Sequence, residues 1–246
     1  MDHLHLADGG PPVETRVIFM RHGNVHNPRN LIYGRLPRMR LSDKGREDIE
    51  RTARFLSEQS VTAIYTSPLL RARQSAAILA AHCPGVRVRR YAGLAEVQTS
   101  WEGEDNKVVQ EIRGFSYYDP LKGEGDETIL DVFTRMNSAL RLVLRRHPGE
   151  TTVCVSHGDP IKILRVGYSG KPLTPAHVRA PDPGQASLVT FQFWSPDALP
   201  IITALDVNRA EQLIHGKGMA EVEPRRAEPS VEEPAAAATS PSTVSA

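Results

Sequence analysis

Arg16-Val17-Ile18-Phe19-Met20-Arg21-His22-Gly23 decides how the rest of this 246-residue chain is read. The apolar run is too short for a helix and suits a strand buried on both faces. A strand that ends in Arg-His-Gly delivers an imidazole to the carboxyl edge of a sheet, where open α/β folds place their ligands. Arg21 adds a planar fork of donors matched to phosphate oxygens, which a lysine would not reproduce. Gly23 lacks the Cβ that would hold backbone and ligand apart.

Working outward, segments of strand and helix character alternate. Ser42 is a plausible N-cap for a helix running to about Gln59, with Ile49, Ala53 and Leu56 at helical spacing. Val61–Thr66 reads as a strand and Pro68–His82 as a helix, the proline being tolerated in a first turn. Val86–Tyr91 reads as a strand. Asp126–Arg146 is a long amphipathic helix with Ile129, Val132, Phe133, Met136, Leu140 and Val143 on one face. Thr152–Ser156 is a central strand, Pro160–Tyr168 a helix, and Ala186–Trp194 with Ile201–Val207 a closing strand pair. This alternation predicts an α/β fold: a single domain with a mainly parallel central sheet and helices on both faces. Residues 1–14 read as a flexible leader and residues 15–215 as the catalytic domain. Residues 216–246 turn to Ala, Glu, Pro, Ser and Thr with almost nothing to bury, and read as a disordered tail.

A formal net charge of +1, with 24% charged residues, leaves no electrostatic footprint for nucleic acid. Cys83 at a helix end and Cys154 in an apolar run do not make a disulfide framework and fit a reducing compartment. Met1 to Thr15 carries no signal-peptide pattern, and no apolar stretch reaches the roughly 20 residues that span a bilayer. The expectation is a cytoplasmic protein without membrane or nucleic-acid partners, with homo-oligomerisation left open.

Three further motifs fall where strands should end. Thr66-Ser67-Pro68-Leu69-Leu70-Arg71-Ala72-Arg73-Gln74-Ser75-Ala76 places Arg71 in the first turn of a helix, where free N–H groups and the macrodipole already favour an anion. Arg73, two positions on, faces elsewhere. Leu94-Ala95-Glu96, ahead of Trp101-Glu102-Gly103, offers a loop carboxylate, with Glu102 as the fallback acid. Val155-Ser156-His157-Gly158-Asp159 is a second His-Gly pair at a strand tip. Two histidines, two arginines and a glutamate on one edge make an anion site with its own nucleophile and acid. A neutral imidazole can attack a phosphoryl group and hold it as phosphohistidine. Arginines and a second histidine can balance the charge on the transferring group without a metal. A protonated glutamate can supply the proton that the leaving alkoxide needs. No cofactor is called for, and the His-Gly pairs lack the further ligand spacing of a zinc site. His82, His147, His177 and His215 show no partner spacing and read as surface residues.

The pattern from about Arg16 to Val207 resembles the histidine phosphatase superfamily, also called the phosphoglycerate mutase-like family, in its phosphatase-type branch. The resemblance implies that His22 is the phosphorylated nucleophile and that Arg21 and Arg71 bind the phosphoryl group. It implies that His157, with Gly158, completes the phosphate pocket, and that Glu96 is the acid. Asn27 is the nearest counterpart of a substrate-binding asparagine. Asn27, with His26, Tyr33 and Arg35, could line the substrate mouth or form an ordered surface loop. The chain departs from the family pattern at Asn24, where Glu or Gln is usual, at Ser100 near a usual glycine, and at Asp159 in place of a second glycine. Glu96 stands one residue closer to Trp101 than in typical members.

The expected activity is hydrolysis of a small phosphorylated metabolite by a metal-independent phosphomonoesterase. The alternatives are a phosphoglycerate mutase and a non-catalytic phosphate-binding protein on the same fold. Mutases carry a long capping insertion after the acid. Here Glu96 is followed within about 31 residues by Gly125-Asp126-Glu127-Thr128, the apparent counterpart of the family's Gly-Glu-Ser motif, which favours hydrolysis.

Overall fold

In β1 (Thr15–Arg21), Val17 and Phe19 pack on one side of the sheet and Ile18 and Met20 on the other, all essentially inaccessible to water. A strand with two dry faces has to lie inside a sheet covered on both sides. The computed structural model, which describes residues 13–113, 118, 121–179, 184–195 and 197–209, shows that arrangement. The strands β2 (Val61–Thr66), β3 (Val88–Arg90), β4 (Thr151–Ser156), β5 (Leu188–Phe193) and β6 (Ile201–Leu205) complete a six-stranded sheet of order β3-β2-β4-β1-β5-β6. β1 to β4 are mutually parallel, whereas β5 runs antiparallel to both β1 and β6.

Helices α1 (Asp43–Ser57) and α2 (Leu70–His82) cover one face through Ile49, Ala53, Leu56, Ala72, Ala76 and Leu79. The longer α4 (Ile129–Arg146) and α5 (Gly158–Gly167) cover the other, with Met136, Leu140, Ile161 and Leu164 against Phe19, Cys154 and Phe191. Two short helices, α3 (Asn106–Arg113) and α6 (Pro175–Val178), were not signalled by the sequence pattern. No helix among the described residues is long and apolar enough to cross a membrane. Of the leader expected over residues 1–14, only Val13 and Glu14 fall within the described residues, and the tail expected over 216–246 lies outside them.

Several boundaries move for local reasons. α1 starts as expected, because Ser42 Oγ accepts the Gly45 N–H at 3.0 Å. α2 starts at Leu70 rather than Pro68, because Ser67 and Pro68 form the turn and Ser67 Oγ accepts the Leu69 N–H at 3.3 Å. α4 starts three residues later than its first acidic residue. Asp126 turns back to accept from Ser100 and from the Lys122 and Gly123 N–H groups, and Thr128 with Asp131 forms the capping box. β3 is shorter than Val86–Tyr91 and pairs only with Ile64–Thr66 at the sheet edge. His82 and His147 are not bare surface residues. His82 Nε2 lies 2.6 Å from Glu50, and His147 bridges Tyr65 Oη and Glu150.

The loop after β1 is pressed directly onto α1. A Cβ on Gly23 would lie 2.4 Å from the Gly45 carbonyl oxygen, and one on Gly45 would lie 2.1 Å from the Asn24 carbonyl oxygen. Asn24 then fastens the contact: Ser42 Oγ donates to its Oδ1 at 2.8 Å, and its own amide donates to Gln185 at 2.7 Å. Gly45→Ala should therefore lower stability by roughly 1–3 kcal/mol despite the better helix propensity of alanine. Urea unfolding should show a lower midpoint at unchanged slope; an unchanged or raised midpoint would mean that the loop yields easily.

Candidate active site

The three strand ends that carry the sequence motifs are neighbours in the sheet. Arg21 pairs with Ser156 and Thr66 with Val155, and the backbone bonding continues past the strands. The His22 N–H donates to the Ser156 carbonyl at 3.0 Å and the Ser67 N–H to the Val155 carbonyl at 2.9 Å. His22, Ser67 and His157 are thus fixed side by side at the carboxyl edge by main-chain bonds.

Each imidazole is oriented by what surrounds it. His22 Nδ1 lies 2.7 Å from the Gly23 carbonyl oxygen, which can only accept, so the ring proton sits on Nδ1. Nε2 is left with its lone pair and accepts from Arg71 Nε at 3.1 Å. Burial, then the charges of Arg71 and Arg21, hold the His22 pKa well below 6.5, so the ring is neutral near neutral pH. His157 Nε2 lies 2.8 Å from Ser67 Oγ. That oxygen also accepts the Leu69 N–H, and with its hydroxyl proton given to Nε2 the His157 proton falls on Nδ1. The His157 pKa is also held well below 6.5, by burial first and by Arg71 second. The two rings meet edge to face, with centroids 5.1 Å apart.

Arg71, in the first turn of α2, is fully buried. Nη2 donates to the Gly34 carbonyl at 2.7 Å and the guanidinium lies 4.7 Å from the Tyr33 ring centre, a cation–π contact. Among the described residues Nη1 has no hydrogen-bond partner, and neither has His157 Nδ1. Two buried donors without acceptors, beside a neutral imidazole nitrogen, describe a place shaped for an oxygen anion. Arg21 reaches the same cleft across Gly158, where a Cβ would stand 3.1 Å from its guanidinium carbon; a glycine there leaves the arginine its path. Arg73, as expected, is exposed on the other side of its helix.

Glu96 completes the group. Its Oε2 lies 3.8 Å from His157 Nδ1 and 3.9 Å from Arg71 Nη2, while Oε1 accepts the Val97 N–H. Burial pushes its pKa above 4.5, with the charge of Asp159 adding to the rise and Arg71 opposing it. Glu102, the fallback acid, is engaged elsewhere, accepting the Arg35 backbone N–H. The backbone at Glu96 is held by two residues whose roles the sequence did not signal. Arg135 donates to the Gly93, Ala95 and Glu96 carbonyls and pairs with Glu127 at 2.8 Å, and Glu127 in turn accepts the Gln98 N–H. Arg135 looks like an ordinary polar residue of an amphipathic helix, and Glu127 was singled out only as part of a motif.

Asn27 and Arg35, expected at the substrate mouth or in an ordered surface loop, both have partners within the protein. The Asn27 amide bonds both the N–H and the carbonyl of Leu31, closing its own loop. Arg35 donates to the Glu96 carbonyl at 2.7 Å, to Gln98 and to Glu127, so it holds the acid loop from outside. Neither lines the cleft of about 530 Å³ that opens over the site. Arg21, Tyr33, Glu96, Tyr118, Asp159 and Lys162 do.

Ligand atoms of His22, Glu96 and His157 lie within 4.8 Å of one another, the span of a metal site. Two guanidiniums occupy the same space, and Arg71 already holds the His22 lone pair, so a cation would meet repulsion where an anion meets donors.

A family model described as histidine phosphatase superfamily (branch 1) matches residues 17–198. The chain belongs to that superfamily. The uncharacterized protein Rv0525 of Mycobacterium tuberculosis is 34% identical over 172 residues, 66% of this chain and 82% of the relative. Phosphoglycerate mutase-like protein 4 of Arabidopsis thaliana is 32% identical over 160 residues, 61% of this chain and 69% of the relative. The solved structure of a phosphoserine phosphatase from Entamoeba histolytica, in complex with 3-phosphoglyceric acid, aligns with a TM-score of 0.63 at 25% identity. That alignment covers 77% of this chain and 95% of the solved one.

Arg71→Lys keeps the charge but loses the bond to His22, the bond to Gly34 or both. Calorimetric titration with inorganic phosphate at pH 7 should show affinity weakened at least about tenfold, the equivalent of roughly 1.4 kcal/mol. Wild-type affinity in the lysine variant would place the anion elsewhere.

Proposed function

We propose that this histidine phosphatase is a phosphomonoesterase that transfers the phosphoryl group of a small substrate to His22 Nε2 and then to water. The observation that carries this reading is the pair of buried donors, Arg71 Nη1 and His157 Nδ1–H, beside a neutral imidazole nitrogen whose lone pair accepts from Arg71 Nε. In the first step the Nε2 lone pair forms the N–P bond and the ester P–O bond breaks. Arg21, Arg71 and His157 hold the equatorial oxygens. The proton of Glu96, whose pKa is raised, passes to the leaving alkoxide oxygen. In the second step the Glu96 carboxylate takes a proton from water as the water oxygen attacks phosphorus; the N–P bond breaks with its electron pair returning to Nε2, which restores neutral His22 and releases phosphate. The guanidiniums and His157 supply the positive field that a metal provides in other phosphoryl-transfer enzymes, so activity is expected to persist in EDTA. The short segment between Glu96 and Glu127 supports hydrolysis over return of the phosphoryl group to a second substrate.

Trapping tests the covalent step. Protein mixed with a radiolabelled phosphomonoester and quenched in alkali should carry label that acid removes. His22→Ala should carry none and lose at least about a thousandfold in kcat. An unlabelled wild-type protein that still binds phosphate would be a binding protein instead.

The pKa directions set the pH profile. His22 must be neutral, and its depressed pKa moves the acid limb of kcat/KM well below pH 6.5. Glu96 must be protonated for the first step, so activity falls as pH rises through its elevated pKa. Glu96→Gln should abolish that alkaline limb and slow alkyl phosphates far more than p-nitrophenyl phosphate, whose phenolate leaves without a proton. Equal losses on both substrates would assign Glu96 to binding.

A further inference from the structure

We infer that the substrate is a phosphomonoester with a hydroxylated leaving group, a sugar or polyol phosphate, and that Asp159 reads it by accepting a hydrogen bond from one of those hydroxyls. This inference rests on the phosphomonoesterase reading of the cleft.

Asp159 is the second residue of α5, directly after His157 and Gly158, and it lines the cleft together with Glu96. A carboxylate is the wrong charge for a phosphoryl group, so it has to serve the part of the substrate beyond phosphorus. It is held there by two donors that also line the cleft. Lys162 Nζ lies 2.6 Å from Oδ1, and Tyr118 Oη donates to Oδ2 at 2.9 Å. Among the described residues each oxygen has one donor, which leaves further acceptor positions on both. The side chain is 23% exposed, enough to be reached from the cleft. Asp159 also contributes to the raised pKa of Glu96, which places its field where the leaving oxygen takes its proton.

The surroundings select a neutral donor over a cationic one. Lys162 already compensates the carboxylate, and Arg21 and Arg179 line the same cleft, so a substrate ammonium would face like charges that a hydroxyl does not feel. The cleft is also larger than a phosphoryl group needs. Its remaining lining includes Leu31, Ile32, Val97, Pro175 and Val178, an apolar surface suited to the C–H face of a carbon skeleton.

The His22→Ala protein, which should not turn substrate over, allows binding to be read directly by calorimetry. The probes are glucose 6-phosphate, glucose 1-phosphate, cyclohexylmethyl phosphate (the hydroxyl-free counterpart of the first), phosphoethanolamine and inorganic phosphate. At least one glucose phosphate should bind more tightly than phosphoethanolamine. Adding Asp159→Ala should cut the affinity of that glucose phosphate relative to cyclohexylmethyl phosphate by at least about tenfold, the worth of one hydrogen bond to a charged group. Asp159→Asn, which keeps an acceptor oxygen and the helix N-terminus intact, should lose less. An affinity ratio unmoved by Asp159→Ala would overturn the assignment, and so would tighter binding of phosphoethanolamine than of either glucose phosphate. Failure of the radiolabel trap would sink the phosphatase reading alone, since the affinity ratio is measured without turnover.

Discussion

The site is organised around a guanidinium taken wholly out of water. Among the described residues Arg71 has no carboxylate closer than 3.9 Å, and moving a poorly paired charge into a protein interior is strongly unfavourable. What offsets this is partial: the Gly34 carbonyl, the face of Tyr33, the lone pair of His22 and the distant Glu96. One of its nitrogens is left without any partner. That deficit is stored affinity, because an arriving oxyanion completes the charge pairing that folding left unfinished. It also explains why Tyr33 and Gly34, far from α2 in sequence, must be fixed against it.

A second consequence concerns the acid. In the proposed mechanism Glu96 needs a high pKa, so it cannot be locked by a close ion pair of its own, yet an unanchored carboxylate would wander. The chain separates the two demands by fastening the backbone instead. Arg135 from α4 and Arg35 from the β1–α1 connection converge on the Glu96 carbonyl, and both are paired to Glu127. Glu127 offsets part of the charge of the two guanidiniums, and burial is the first influence on the carboxyl group itself. Position and proton affinity are thereby set by different atoms of one residue.

Most of the fold was legible because burial writes itself into strand and helix periodicity. The dry strands β1, β2 and β4 read as apolar runs, and the motifs at their ends followed from chain direction in a parallel sheet. His22, Arg71 and His157 meet in space for that reason. Less legible were residues whose partners lie far away in sequence. Asn27 and Arg35 were read by position as lining the substrate mouth or forming an ordered surface loop, and their partners are internal: Asn27 closes its own loop and Arg35 reaches Glu96, Gln98 and Glu127. Arg135 sits among the apolar residues of α4 without any local mark of its task. Asp126 looked like the first turn of α4 because an acidic residue there is ordinary; only the turn it closes with Ser100 and Lys122 shows otherwise.

The strand order holds one more implication. β1 and β2, though close in sequence, are not neighbours in the sheet, since β4 is inserted between them. The amino-terminal half of the chain therefore cannot close a continuous sheet by itself, and its two inner strands wait with unpaired backbone edges until β4 emerges from the ribosome. Such a topology binds the two halves into one cooperative unit and makes folding slow and non-local. It also means that a chain lacking β4 holds His22 without Ser156 and His157 beside it. The cluster at the sheet edge is assembled only when the last parallel strand has been seated.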